Sequence, residues 1–336
     1  MTIKDIAKEA GYAVGTVSKV LNHQPGVSEK AHKAIMEVVK RHNFKLNTNA
    51  KYLKQTRNNG IAIIVKGTRN MLFAGLVEIL QSQVKDSGHE CSIYYVKEED
   101  QEVEQALLIC RDRQPLGCFF LGSNQENFRD KFQDVDVPCV MVTNSSNGLS
   151  FENLSSVCVD DREGAKEAVR YLIGLGHTRI GVLGGEMEHS NPAKARYQGC
   201  LEVFAEHGMV FDPATQYACS RFAMDGGYMA MRDLLGRNPN LTAVYAMSDV
   251  MAIGAIRAIQ DSGLRVPEDI SVIGYDGIDL GQYVVPRLTT IKQPGEEIAK
   301  RCVEIMLERI EGEQTGVVEQ IPFTLIEGES TRAFTA

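Results

Sequence analysis

The sequence predicts a small all-α headpiece at the N-terminus, followed by an α/β body built as two parallel-sheet lobes. Three observations lead there. The first 22 residues have the spacing of two short helices around a glycine turn, and the stretch after Asn59 alternates apolar strands with helical periodicity twice over. Charge also reverses: residues 1–57 hold 11 Lys and Arg against 4 Asp and Glu, whereas the remainder holds 25 against 40, within a chain total of -8. A small unit of net positive charge suits a polyanion, and an acidic body opposes one. A merely solvated basic surface is the alternative, and the helices argue against it.

The bulk composition narrows the class further. A chain of 336 residues exceeds what one core usually holds, so two or three domains are expected. With 43% hydrophobic and 24% charged residues, it reads as soluble and globular. No long apolar run, secretory signal or lipidation motif is present, which predicts a cytoplasmic protein without a membrane partner. Eight cysteines all fall in the acidic body without a C-x-x-C pair, so they are expected to be reduced core residues and not a disulfide set or zinc site.

In chain order, Thr2 is placed to cap a first helix in which Ile3, Ile6, Ala7 and Ala10 share a face, with Asp5 completing a capping box. Gly11 supplies the turn. In the second helix Val17, Val20 and Leu21 form an inner face, leaving Val14, Gly15, Ser18 and Lys19 free to enter a groove. Ser28 caps a third helix carrying Ala31, Ile35, Val38 and Val39. A short segment at 48–54, which Asn47 can cap, is too short to be a stable helix alone and is expected to form only against DNA and a partner chain. Strands are expected at 60–65, 90–96, 117–121, 137–142 and 156–159, with helices at 72–86 and 100–113 between them. After Asp160 come a helix to Leu175, strands at 179–183, 243–247 and 270–275, and helices at 193–207, 225–236 and 249–262. Ligands of such sheets sit beyond the carboxyl ends of the strands, here in the cleft between the lobes.

These stretches are similar to those of the lactose-repressor (LacI) family of bacterial transcription regulators over nearly the whole chain. The resemblance lies in I-K-D-I-A-K-E-A-G, T-V-S-K-V-L-N and V-S-E-K in the headpiece. In the body it lies in L-G-H-T-R-I-G-V-L-G-G at 175–185, A-M-S-D-V-M-A-I-G-A-I-R-A-I at 246–259, D-I-S-V-I-G-Y-D at 269–276 and L-T-T-I-K-Q at 288–293. It implies a helix-turn-helix headpiece at 1–46, a hinge helix and linker at 47–58, and a two-lobed, periplasmic-binding-protein-like domain at 59–336 for effector binding and dimerisation. The implied protein is a repressor working as a homodimer, sometimes a tetramer, on a pseudo-palindromic operator. A small molecule in the cleft, a sugar by preference, controls it; a nucleobase or other non-sugar co-repressor is the alternative. Neither a cofactor nor a metal is implied.

Residue by residue, the resemblance assigns base reading to Val14, Gly15 and Lys19, with Thr16, Ser18 and Asn22 near phosphates and Thr2, Ser28 and Asn47 completing the DNA set. Lys19 can reach a guanine edge, Val14 only a thymine methyl, and Gly15 nothing. Two departures weaken the second helix: Ala13 stands where the family usually has a capping serine, and Gly15 lies inside the helix. In the hinge, Leu53 matches a minor-groove wedge, with Ala50 and Lys51 beside it; packing of Leu53 against the body is the alternative. Leu46 replaces the family's proline before the hinge asparagine. For the effector, the matching positions are Phe73, Asn144, Arg196, Phe222, Ser248, Asp249 and Asp276. A guanidinium and a carboxylate beside an aromatic face suit vicinal hydroxyls. Against that stand a plain lobe-to-lobe ion pair of Arg196 with Asp276, and a core role for Phe222. An enzyme is not expected, because no P-loop, dinucleotide fingerprint, nucleophile elbow or H-E-x-x-H is present and the seven histidines are scattered.

Overall fold

The structure is a computed structural model that describes residues 3–21, 26–42, 60–67, 70–97, 100–188, 190–312 and 315–335, without the side chains of Ile3 and Lys4. Thr2, Asn22, Asn47, Ala50, Lys51 and Leu53, and with them the expected hinge helix, lie outside the described residues. The chain divides into two units, Met1–Arg57 and Asn58–Ala336.

The first unit holds α1 (Ile3–Ala10), α2 (Val14–Leu21) and α3 (Glu29–Arg41). The chain leaves α1 through Gly11 at φ 72°, a left-handed conformation that costs glycine little, and the Tyr12 N–H donates to the Ala7 carbonyl at 3.1 Å. α2 starts from Ala13, whose carbonyl accepts from Thr16 and Val17 N–H at 2.9 and 3.1 Å; alanine has no side-chain acceptor to add. Ser28 does cap α3, accepting from the Ala31 N–H at 3.4 Å. Ile6, Ala7, Val17, Val20, Ile35, Val38 and Val39 close the core, with Ala10 and Leu21 packed against it, so the described members of each predicted face turn inward. At the far ends of α1 and α3, Glu9 meets Arg41 at 3.1 Å and His42 at 2.8 Å.

The second unit opens with β1 (Gly60–Lys66), α4 (Met71–Asp86), β2 (Glu90–Val96), α5 (Glu102–Arg113), β3 (Gly117–Leu121), α6 (Glu126–Lys131), β4 (Cys139–Val142) and β5 (Leu154–Cys158). Then follow α7 (Asp161–Gly174), β6 (Ile180–Gly184), α8 (Asn191–Glu206), α9 (Pro213–Gln216), β7 (Tyr217–Cys219), α10 (Met224–Arg237), β8 (Ala243–Ala246), α11 (Asp249–Asp261) and β9 (Ser271–Asp276). The chain ends with β10 (Thr289–Lys292), α12 (Gly295–Ile310), β11 (Val318–Gln320) and β12 (Thr324–Ile326).

Two six-stranded sheets result, in the orders β11-β5-β4-β3-β1-β2 and β12-β10-β9-β8-β6-β7. All recorded pairings are parallel except β10 with β12. The central strands are buried at nearly every position because helices cover both faces: Ile61, Ile63 and Val65 of β1 pack into one core, Ala62 and Ile64 into another. The chain passes between the sheets at 158–161, 292–295 and 320–324, so each lobe is assembled from separated segments. In both sheets strand order reverses beside the first strand, at β1/β3 and at β6/β8, which opens a crevice at the carboxyl ends of those strands.

Elements read from periodicity fall within two residues of their observed ends. The short strands β7, β10, β11 and β12 and the short helices α6 and α9 are not among the expected elements, because three to six residues hold too little of a period. α12 is also absent from them, although its sixteen residues bury Ile298, Ala299, Cys302, Val303, Ile305 and Met306 at helical spacing.

Candidate functional site

Two surfaces carry chemistry, one in each unit. In the headpiece, α2 turns Val17 and Val20 into the core, so Val14, Gly15 and Lys19 face outward, with Val14 42% exposed. A Cβ added at Gly15 would meet nothing within 4 Å, so the outer face of this helix has open space around it. Thr16 and Ser18 are half-buried on its flanks.

In the body, a cavity of about 1180 Å³ lies beyond the carboxyl ends of both sheets and takes its wall from both lobes. From the first lobe come Lys66 and Gly67 after β1, Gly122 and Ser123 after β3, and Thr143 and Asn144 after β4. The second lobe adds Gly185 after β6, Arg196 on α8, Phe222 and Asp276. Each lobe lays a phenyl ring on a glycine. A Cβ on Gly122 would lie 2.8 Å from the Phe73 ring, and one on Gly185 would overlap the Phe222 ring.

Arg196, only 5% exposed, is fixed from several sides. Its Nε donates to Asp161 Oδ1 at 2.8 Å, Nη2 stands 2.7 Å from the same oxygen and 3.8 Å from Asp276 Oδ1, and Nη1 donates to the Met247 carbonyl. The guanidinium carbon sits 3.6 Å from the centroid of the Tyr275 ring, a cation–π contact removed from water. Asp276 accepts from Gln293 Nε2 at 2.8 Å. Burial pushes its carboxyl up to about 6, against the pull of Arg196 and Gln293.

The backbone is strained at the same place. Thr143 at φ 70° and Asp276 at φ 118° are non-glycine residues in left-handed territory, and both line the cavity at or just after the end of a strand, one in each lobe. Such conformations persist where surrounding contacts fix them, commonly at ligand sites. The lobes are also tied directly to each other. The Gln125 N–H donates to Asn191 Oδ1 at 3.2 Å while Asn191 Nδ2 donates to Gln125 Oε1 at 2.9 Å.

Comparison with known proteins identifies the class. The model of bacterial regulatory proteins of the lacI family matches residues 2–47, and that of a periplasmic binding protein-like domain matches 169–331. The HTH-type transcriptional regulator MalR of Clostridium butyricum is 32% identical over 95% of this chain and 96% of its own. The chain belongs to the lacI family of bacterial regulatory proteins. Another lacI-type relative, the HTH-type transcriptional repressor PurR of Pasteurella multocida, is 30% identical with 97% of each chain covered. Among solved structures, the complex of the transcriptional regulator CelR with cellobiose is similar at a TM-score of 0.73 and 28% identity, over 98% of this chain and 99% of that one. As a member of the lacI family this protein regulates transcription and is not an enzyme. No helix among the described residues is long and apolar enough to cross a membrane.

Within this lacI-family body the cavity brings together Phe73, Asn144, Arg196, Phe222 and Asp276, and leaves out Ser248 and Asp249. Ser248 is fully buried and caps α11 by accepting from the Met251 N–H at 3.4 Å. Asp249 is fully buried too, accepting from Thr290 Oγ1 at 2.6 Å and the Ile278 N–H at 2.8 Å, and burial holds its carboxyl well above the usual range. The lobe-to-lobe reading of Arg196 with Asp276 is corrected, since α8 and β9 belong to the same lobe; among the described residues Gln125 with Asn191 forms a polar link across the lobes.

Cys219 departs from the core role expected of the cysteines, being exposed and part of the cavity wall, although all eight are free thiols. His177 is a structural hydrogen-bonder, with Thr242 Oγ1 at 3.0 Å and Ser271 Oγ at 3.1 Å. Sequence reasoning missed Lys66, Ser123, Asp161, Tyr275 and Gln293. Lys66 and Ser123 follow the ends of β1 and β3, where the strand-end rule could have found them. Asp161 and Gln293 reach the site only because the chain crosses between lobes beside them, which no local pattern announces.

Proposed function

We propose that this protein is a repressor that binds a pseudo-palindromic operator as a homodimer and changes its operator affinity when a sugar occupies the cleft. The observation that carries the ligand half is the cavity itself. It joins strained strand ends, a fixed guanidinium, a carboxylate and one phenyl ring from each lobe, a set suited to hydroxyls and to the C–H faces of a sugar ring. The DNA half rests on the outward face of α2, where Lys19 reads a guanine edge and Val14 a methyl. Residues 1–46 form the reading unit, 47–58 with the Leu53 wedge the hinge, and 59–336 the effector and dimer domain. Thr2, Gly15, Thr16, Ser18, Asn22, Ser28, Asn47, Ala50 and Lys51 complete the DNA contact.

Tyr283 and Val285, 81% and 84% exposed and two residues apart, offer apolar surface to a second copy. In this reading the protein works in the cytoplasm, beside its operator.

Cys219 makes the site testable. A sugar that raises the thermal midpoint is expected to slow iodoacetamide alkylation of Cys219, an exposed thiol on the cavity wall. Stabilisation with no change in Cys219 labelling would move the ligand elsewhere. Stabilisation by a nucleobase and by no sugar would replace the sugar reading.

A further inference from the structure

The cavity neutralises its own charges. Lys66 on the wall has its Nζ 2.8 Å from Glu102 Oε2, and Glu102 is fully buried. The same carboxylate accepts from the Asn124 N–H and Asn127 Nδ2, each at 2.8 Å, so it is fixed against Lys66. In the other lobe Arg196 is matched by Asp161 at 2.7 Å and faces Asp276. The other charged wall residues, Lys97, Glu186 and Arg221, are exposed and of mixed sign. Among the described residues an anionic ligand drawn out of water would therefore find no buried cation lacking a carboxylate, and the nearby carboxylates would repel it.

What remains inside is neutral hydrogen-bonding capacity. Ser123 Oγ, in a residue 4% exposed on the cavity wall, has no hydrogen-bond partner among the described residues. A buried hydroxyl without a partner is costly unless a ligand or water supplies one. Size is the second constraint. At about 1180 Å³ the cavity exceeds the range of roughly 300–1,000 Å³ that usually encloses a drug-sized ligand. Phenyl rings come from both lobes, and polar groups stand at both ends of the wall, Lys66 with Asn127 in one lobe and Arg196 with Asp276 in the other.

We infer that the effector is an uncharged carbohydrate of at least two rings: one ring is covered by Phe222 and held by Arg196 and Asp276, and the next lies against Phe73 with its hydroxyls toward Ser123 and Lys66. This rests on the sugar reading above and narrows it. Acidic sugars and sugar phosphates are excluded by charge, and single-ring sugars bind weakly because they leave one lobe's polar groups unpaired.

Calorimetric titration of the full-length protein tests this with maltose, cellobiose, lactose, glucose, galactose, glucuronate, glucose 6-phosphate and hypoxanthine. A neutral disaccharide is expected to bind at least about tenfold tighter than its constituent monosaccharide and than either anion. A monosaccharide, glucuronate or glucose 6-phosphate binding best would overturn the inference and leave the sugar reading standing. Binding of hypoxanthine, or of none of these carbohydrates, would overturn both. In a second arm, Glu102→Gln leaves the Lys66 charge unmatched, so glucuronate should gain at least about tenfold relative to the disaccharide. No gain in a variant with an unchanged circular dichroism spectrum would contradict the charge-balance basis, while the wild-type ranking stands whether or not the variant folds.

Discussion

Arg196 is valuable to the cleft because it is already immobilised before any ligand arrives. Asp161 and the Met247 carbonyl hold it, Tyr275 covers its face, and Asp276 waits at 3.8 Å. Removing it has two effects. Arg196→Ala leaves the carboxylate of Asp161 in a mostly buried place without its cation, so unfolding by urea should show a loss of about 3 kcal/mol. It also leaves ligand hydroxyls unpaired, for an expected loss of about a hundredfold in sugar affinity by calorimetry. Unchanged sugar affinity would remove Arg196 from the site.

Asp276 adds a pH dependence. Burial raises its carboxyl from 3.8 to about 6, whereas in the unfolded chain it ionises near its ordinary value. Its contribution to stability is therefore complete below about pH 4 and lost as the pH rises through about 6. Ligand binding runs the opposite way, since hydroxyls donate to the ionised form. Sugar affinity should fall about tenfold between pH 7 and pH 5 in the wild type and stay flat in Asp276→Asn. A wild-type affinity independent of pH over that interval would contradict the role given to this carboxylate.

At the scale of elements, α2, the proposed recognition helix, is one that its sequence could strengthen. Ala13 leaves its first turn without a side-chain cap, and Gly15 adds backbone entropy where a Cβ would meet only open space. Ala13→Ser and Gly15→Ala should each stabilise the headpiece by about 1 kcal/mol, read as a rise in its thermal midpoint. The clasp between the start of α8 and the turn before α6 acts on the body instead. Asn191→Ala removes two hydrogen bonds that favour this lobe arrangement, at about 1 kcal/mol each. If the sugar binds the same arrangement, calorimetry should show an affinity loss of about fivefold or more. Most long elements were legible in the sequence, because an apolar strand such as β1 or a helix such as α4 contains several periods; α12, though sixteen residues long, was not among the expected helices. β7, β11 and β12 have three residues each and exist only because neighbouring strands offer them an edge. The site was legible in the same measure. Arg196, Asp276 and the two phenylalanines could be placed by likeness to the family. Asp161, Gln293 and the clasp could not, since their contacts depend on where the chain crosses between sheets.

For the whole molecule, the sequence separates the charges cleanly, with 11 basic against 4 acidic residues up to Arg57 and 25 against 40 after it. Operator affinity should therefore drop steeply with salt, by about 10³-fold or more between 50 and 200 mM, because binding neutralises several phosphates. The body alone, residues 58–336, should not shift operator DNA. Coupling between the two units is the heart of the function, and by linkage it is reciprocal: the factor by which the sugar changes operator affinity is the factor by which operator changes sugar affinity. The most direct measurement is a fluorescence-anisotropy titration of operator DNA with the full-length protein, with and without a saturating sugar that protects Cys219. Operator affinity is expected to change by about 5- to 150-fold, with the same factor recovered when sugar is titrated into the operator complex. Operator affinity that is unchanged by such a sugar would contradict control of this repressor through the cleft.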